Sequence, residues 1–250
     1  MEPALSSIAV VSGFVLLAVV GAVLYARRVR MDRPPIGAFN LRDIMVISIV
    51  VVVLPPLYLH IPSFLIVAVL AVVATGIGYF TLTPVFGRLG GLPAVTLVVA
   101  DIALSRLGSG GTQHSAFLIL NNGLMALLAI GVGTLYVQSG IKARDVAVFA
   151  VVLLVYDVLA TVVFPTMIEF FARVAELPLT PAILWGRGVG AVGAGLGDLL
   201  VLVLWTLVAD KAFGRRAGLL AAATGVTAVV AVFLAFWLDW LNKPAGAATP

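Results

Sequence analysis

The sequence predicts an all-α integral membrane protein, a polytopic helical bundle of about eight transmembrane helices. Of its 250 residues, 62% are hydrophobic and only 10% are charged, whereas soluble domains average roughly 45–50% apolar and about 25% charged residues. The chain also contains several runs of about 20 mainly apolar residues, the length that one helix needs to cross a bilayer. The basic residues concentrate in alternate connections between these runs.

The apolar runs predict eight spans, at 6–26, 43–60, 62–81, 91–107, 115–138, 146–165, 188–209 and 217–240. The connections are mostly short, which predicts a single transmembrane domain over residues 1–250. Within it we distinguish spans 1–4 (1–114), spans 5–7 (115–210) and the eighth span with a short tail (211–250).

The orientation follows from the charged residues. Met1–Ser7 carries only Glu2, and a signal peptide begins with positive charge, so we expect a retained first helix. Basic residues favour the cytoplasmic side of a membrane. If the N-terminus lies outside, the inside connections hold eleven of the fifteen Lys and Arg residues. The Cys-free composition, rich in Ala, Val and Gly, favours a prokaryotic plasma membrane.

Several kinds of site are not expected. The chain has no cysteine, and its two histidines, His60 and His114, fall in predicted loops or at their edge, so neither a disulfide nor a multi-histidine metal site is predicted. There is no phosphate-binding loop. The net charge of +4 is explained by basic loops that flank membrane helices. We therefore expect no metal, no cofactor and no nucleic acid, and we expect membrane lipids as partners.

Two acidic residues, Asp157 and Asp198, fall inside predicted spans. Each lies about 11 residues from the cytoplasmic end of its span, which is on the order of 17 Å deep at about 1.5 Å per residue. The sixth and seventh spans are consecutive and antiparallel, so they could bring the carboxyl groups face to face. Ionisable residues in a span are costly and usually mark function.

Two carboxyl groups in contact do not both ionise cheaply, so one keeps its proton. Such a pair supplies a base that activates water and an acid that protonates a peptide carbonyl. A third acid, Asp101, lies near the outer end of the fourth span, where we expect it either to pair with Arg106 or to snorkel toward the interface.

Six glycines crowd the first half of the seventh span, and Gly193 and Gly197 form a small-xxx-small pair that predicts close helix packing. Glycine also loosens a helix, so a frayed start of this span is a second interpretation.

At these residues the chain resembles the presenilin and signal peptide peptidase family of intramembrane aspartyl proteases. That family carries Tyr-Asp in its sixth span and Gly-x-Gly-Asp in its seventh. Here the sixth span reads LLVYDVLATVVFP and the seventh reads GAGLGDLLVLVLW. The stretch ILNNGLMALLAI is similar to the family's fifth span. The resemblance covers roughly residues 115–210, and the remainder only by span count.

The resemblance implies a GxGD-type hydrolase, an aspartic endopeptidase that cleaves transmembrane helices of other proteins. Asp157 and Asp198 would be its catalytic pair. The site-shaping residues would be Tyr156, Gly195, Leu196 and Gly197. Weaker candidates for substrate binding are Asn121, Asn122, Pro181, Ala182 and Ile183. The connection Thr166–Arg187 would lie near the point where substrate enters and pair with an unwound substrate strand.

One departure keeps other functions open. The family has a ninth span with Pro-Ala-Leu, and none is predicted here: Pro181-Ala182-Ile183 precedes the seventh span, and the tail NKPAGAATP ends at Pro250. The alternatives are a non-enzymatic family relative, a proton-coupled carrier, since buried carboxyl groups relay protons in transporters, and a prepilin-peptidase-type GxGD protease. The natural substrate, the cleavage site and the oligomeric state do not follow from the sequence.

Overall fold

The computed structural model of the chain describes residues 2–31, 41–107, 111–159, 169–170, 173–175, 177–186 and 191–242. Eight long α-helices and one two-stranded antiparallel sheet account for most of them. The helices are α1 Glu2–Arg28, α2 Leu41–Tyr58, α3 Ser63–Phe86, α4 Gly91–Leu107, α5 Gly111–Gln138, α6 Ala143–Val158, α7 Leu196–Phe213 and α8 Arg215–Asn242. The strands, β1 Ala182–Trp185 and β2 Val192–Gly195, lie between α6 and α7.

The structure is mainly helical and has the character of a membrane protein, as predicted. In the described part of the chain, four stretches are long and apolar enough to cross a bilayer, namely Leu5–Arg28, Ser63–Leu107, Thr112–Gln138 and Arg215–Ala235. Large hydrophobic side chains also face outward, among them Phe64 at 68% and Val72 at 74% exposure. A surface of this kind suits lipid, because soluble proteins rarely expose wide apolar patches. Eight crossings remain a prediction.

The stretch Ser63–Leu107 is folded back on itself. Its 45 residues would be about 68 Å long as one straight helix, more than twice the roughly 30 Å hydrocarbon core. A 3₁₀ turn at Gly87–Gly90 interrupts it, and α3 packs against α4. Gly90 permits the turn, because a Cβ there would lie 2.6 Å from the backbone of Thr83. The predicted third and fourth spans are thus two packed helices.

Helix α5 lies at the centre of the bundle. It contains no Asp, Glu, Lys or Arg, and a helix that is apolar on all sides is typically buried. It packs against α1, α3, α4, α7 and β1. Two glycines allow close approach: a Cβ at Gly131 would clash with Thr81 of α3, and one at Gly133 would lie 2.5 Å from Val203 of α7.

Connections that the topology predicts on the same side contact one another. At the predicted inside, Arg27 forms an ion pair of 2.7 Å with Asp210, and Lys211 donates a hydrogen bond of 2.6 Å to the Val137 carbonyl. At the predicted outside, the guanidinium of Arg173 donates 2.6 Å to the carbonyl of Ile61. These contacts agree with helices that alternate in direction along the chain.

The sheet corrects the prediction of purely helical spans. The seventh span was expected at 188–209, but residues 192–195 form β2 and the helix begins at Leu196 and ends at Phe213. Gly193 therefore lies on a strand and does not form a helix-packing pair with Gly197. Loosening of the helix start, the second interpretation, is the one that the structure follows. The sixth helix ends at Val158, and the end of the predicted sixth span at 160–165 lies outside the described residues.

Candidate functional site

The carboxyl groups of Asp157 and Asp198 are brought near each other by packing of α6 against α7. The two carboxyl groups lie close enough for a charge on Asp198 to influence the ionisation of Asp157. Asp157 follows the start of α6 at Ala143 by about 14 residues, and Asp198 precedes the end of α7 at Phe213 by about 15. At about 1.5 Å per residue, both lie on the order of 22 Å from the predicted inside ends of their helices. The expected matched depth of the pair therefore agrees with the helix bounds.

Asp198 occupies the first turn of α7, with Gly195 as the N-cap. Its carboxyl group interacts with the backbone N–H of Gly195, which is the return half of a capping box, where an acidic residue at the third helical position satisfies the N-cap amide. Tyr156 and Asp157 are partly buried, whereas Asp198 is exposed. A Cβ at Gly197, the residue before Asp198, would meet nothing within 4 Å, so there is open space beside Gly197.

The β-hairpin leads directly into this first turn. Strand β1 pairs with β2 so that Ala182 faces Gly195, Ile183 faces Ala194, Leu184 faces Gly193 and Trp185 faces Val192. The Leu196 N–H donates a hydrogen bond of 2.9 Å to the Pro181 carbonyl, which extends the pairing into α7. The three candidates Pro181, Ala182 and Ile183 thus lie at the start of β1. They face residues 194–196, which directly precede the turn of α7 that carries Asp198.

Two asparagines of α5 occupy the other side of β1. The Asn122 amide donates a hydrogen bond of 2.7 Å to the Leu184 carbonyl and accepts one of 2.8 Å from the Leu184 N–H. The Asn121 amide donates to the carbonyls of Thr180, at 3.3 Å, and Ala182, at 3.1 Å. Both asparagines are fully buried. Their direct role in substrate binding stays a prediction, and the structure connects them to the backbone of β1.

The register leaves one edge of the hairpin unpaired by a strand among the described residues. The backbone N–H and C=O of Leu184 bond to Asn122 of α5 and not to β2. Leu184 and its partner Gly193 are therefore a non-hydrogen-bonded pair of the antiparallel ladder, in which the backbone groups of both residues point away from the partner strand. Gly193 is exposed. The backbone N–H and C=O of Gly193 therefore lie on the outer edge of β2, the strand that leads into the helix turn bearing Asp198. In the connection Thr166–Arg187, by contrast, the described strand β1 is covered on both edges; residues 160–168, 171–172, 176 and 187–190 lie outside the described part.

Asp101 has a different partner from the expected one. Its carboxylate accepts a hydrogen bond of 2.7 Å from the backbone N–H of Leu179, and the side chain is fully buried. Its other oxygen has no hydrogen-bond partner among the described residues, so the predicted pairing with Arg106 is wrong. The sequence did not reveal this contact, because it joins residues 78 positions apart.

A site for a metal ion is not evident in the described residues, which contain no group of three or more His, Cys, Asp or Glu side chains able to hold one. His60 lies in the turn after α2, 3.0 Å from the Pro56 carbonyl. His114 lies in α5 and not in the predicted loop, and it is 3.5 Å from the Gly186 carbonyl. The chemistry available at the candidate site is thus that of two carboxyl groups, one tyrosine and exposed backbone amides.

No protein-family model, no curated protein and no solved structure matches this chain. The presenilin and signal peptide peptidase family therefore stays a prediction that rests on the two motifs, Tyr156-Asp157 and Gly195-Leu196-Gly197-Asp198.

Proposed function

We propose that this chain is an intramembrane aspartic endopeptidase that hydrolyses peptide bonds within transmembrane helices of other proteins. The observation that carries the proposal is the packing of α6 against α7, which brings Asp157 and Asp198 within electrostatic reach of each other. In an apolar environment two neighbouring carboxyl groups share one proton, which makes one a base and the other an acid.

The reaction uses the two groups in turn. The ionised carboxylate takes a proton from water, and the resulting oxygen attacks the scissile carbonyl carbon. The protonated carboxyl donates its proton to the carbonyl oxygen, and on collapse of the tetrahedral intermediate the roles exchange and the amine leaves with a proton. The open space beside Gly197 is where the proposal places the peptide bond. Tyr156 would border it on the side of α6.

The substrate would be held as an extended strand. A transmembrane helix must unwind before its carbonyls become accessible, and the exposed edge of β2 at Gly193 offers the backbone partners that an unwound segment needs. This places strand addition on β2, whereas the sequence suggested the preceding connection. Recognition by main-chain hydrogen bonds favours helices that unwind easily over any fixed side-chain motif.

The direct experiment is cleavage of a purified membrane-helix substrate in detergent. Asp157→Asn and Asp198→Asn should each reduce cleavage at least 1,000-fold, since neither acid alone supplies both proton transfers. The matched control is Asp210→Asn on the same helix α7, which breaks an exposed ion pair with Arg27 and should leave cleavage within twofold. Full activity in either dyad variant refutes the proposal, and cleavage by neither the wild type nor the control favours a non-enzymatic role.

We also propose eight crossings of a prokaryotic plasma membrane with the N-terminus outside. The support is the excess of basic residues on the predicted inside connections and the contacts between connections predicted on the same side. Because the chain has no cysteine, single cysteines report the side unambiguously. Lys142→Cys should react with an impermeant maleimide only after cell lysis, and Ser63→Cys should react in intact cells. The reverse pattern would contradict this orientation.

A further inference from the structure

The turn before β1 contains the one non-glycine residue with positive φ in the described chain. Leu179 adopts φ 59°, a left-handed conformation that is uncommon for side chains other than Asn and Asp. Its side chain is buried at 1% exposure, so glycine, the usual residue for this conformation, would leave a cavity. Something other than intrinsic preference must hold the backbone in this state.

The carboxylate of Asp101 supplies that restraint. It accepts the Leu179 N–H at 2.7 Å in a site from which solvent is excluded, since Asp101 is 0% exposed. Its other oxygen has no hydrogen-bond partner among the described residues. Packing alone does not explain an acid at this position, because an apolar side chain could fill the space but would leave the Leu179 N–H without an acceptor.

The restraint continues toward the candidate site through a series of hydrogen bonds. Directly after Leu179, the Thr180 hydroxyl lies 2.6 Å from the Leu177 carbonyl, and the carbonyls of Thr180 and Ala182 accept from Asn121. Pro181 then accepts from Leu196 at the start of α7, two residues before Asp198. The path from Asp101 to the first turn of α7 is therefore short and fully within the described structure.

We infer that Asp101 is a positioning residue, which fixes the left-handed turn at Leu179 and thereby places β1 and the first turn of α7 that carries Asp198. The inference rests on the proposed function as far as catalysis is concerned. Asp101 does not contact the substrate in this proposal. What Asp101 contributes is an acceptor atom at a defined position, and its charge is not required.

Two conservative variants separate position from charge. Asp101→Asn keeps the side-chain length and a carbonyl oxygen for the Leu179 N–H but removes the charge. Asp101→Glu keeps the charge but adds a methylene, which moves the acceptor by about 1.5 Å. The inference expects Asp101→Asn to retain at least a third of wild-type kcat and Asp101→Glu to lose at least tenfold in kcat with KM changed less than threefold.

A second measurement does not depend on cleavage. Leu184 and Gly193 face each other across the hairpin, and Leu184→Cys with Gly193→Cys in this Cys-free chain can form a disulfide that reports the placement of β1. We expect its formation rate to be unchanged by Asp101→Asn and at least fivefold slower with Asp101→Glu. The matched control is Asp145→Glu, because Asp145 is also buried and accepts a backbone N–H, that of Lys142 at 3.2 Å, but lies at the start of α6.

The outcomes separate this inference from the proposed function. If the wild type cleaves nothing while the disulfide rates follow the expected order, the proposed function fails and the structural role of Asp101 stands. If cleavage requires Asp157 and Asp198 but Asp101→Glu matches the wild type in both measurements, the inference is overturned. Loss of cleavage in Asp101→Asn equal to that of the dyad variants also overturns it, because charge would then be the essential property.

Discussion

Substitution of Asn122 by alanine should release β1 from α5. The change removes two hydrogen bonds, 2.7 Å from the amide to the Leu184 carbonyl and 2.8 Å from the Leu184 N–H to the amide. Both backbone groups belong to a strand and cannot find a new partner within their own segment. Asn122 is 0% exposed, so water would not readily replace its amide and both groups would be left unsatisfied.

Two kinds of measured hydrogen-bond energy bracket the expected loss of unfolding free energy. Side-chain hydrogen bonds between membrane helices average about 0.6 kcal/mol each, which gives about 1.2 kcal/mol for two. A buried polar group left without a partner costs about 1–3 kcal/mol, which gives about 2–6 kcal/mol for two. We expect roughly 2–4 kcal/mol, because the partners are backbone groups of a fixed strand and not mobile side chains.

The appropriate assay follows the hairpin itself, since it can open while the helices stay folded. Trp185 lies on β1, and its fluorescence reports the hairpin once Trp205, Trp237 and Trp240 are replaced by Phe. Unfolding by SDS in mixed micelles then yields the free energy difference, and far-UV circular dichroism reports the helices in parallel.

Two companion variants make the reasoning refutable. Gly123→Ala is the control, because a Cβ there would meet nothing within 4 Å, and it should be neutral or slightly stabilising. Asn121→Ala removes only longer bonds, of 3.1 and 3.3 Å, to two carbonyls and should cost less than Asn122→Ala. If Asn122→Ala is as stable as Gly123→Ala, or lowers the free energy of unfolding less than Asn121→Ala does, then Asn122 does not hold β1 as described.

Two further substitutions test the packing and the charges of the bundle. Gly131→Ala should lower the free energy of unfolding by about 1–3 kcal/mol, because its new Cβ would clash with Thr81. Gly13→Ala is the control, since a Cβ there meets nothing within 4 Å. Equal stability of the two variants in SDS titrations would contradict the α3–α5 contact. Arg27→Ala should lower the free energy of unfolding by less than about 1 kcal/mol, because the ion pair with Asp210 is exposed. A coupling energy above about 2 kcal/mol in a double-mutant cycle with Asp210→Ala would show that solvent does not screen the pair.

The helices were predictable because their signal is local. Apolar runs of about 20 residues place α1, α4, α5 and α8 within a few residues of their observed bounds, and the predicted depth of Asp157 and Asp198 follows from counting along helices of fixed rise. The bounds of α7 were eight residues off at its start, where glycines made a helix and an extended segment equally compatible with the sequence.

The hairpin and its supports were not predictable from one sequence. Strand β1 has four residues, and its outer edge is completed by Asn122, which lies 62 positions earlier. A run as short as Ala182–Trp185 carries no periodicity that separates it from a loop or a helix. Asp101 was expected to pair with Arg106, and its actual partner, the backbone amide of Leu179, has no side-chain signature that a pattern could detect.

The location of the supports along the chain has a consequence for biosynthesis. Strands β1 and β2 contact α1, and β1 also contacts α5; both helices leave the ribosome before the hairpin does. A short strand with free edges would be unstable alone in lipid, so it can form only on a scaffold that is already inserted. The order of synthesis therefore matches the order in which the parts become stable, with Asp198 reaching its position only after α1 and α5 are in place.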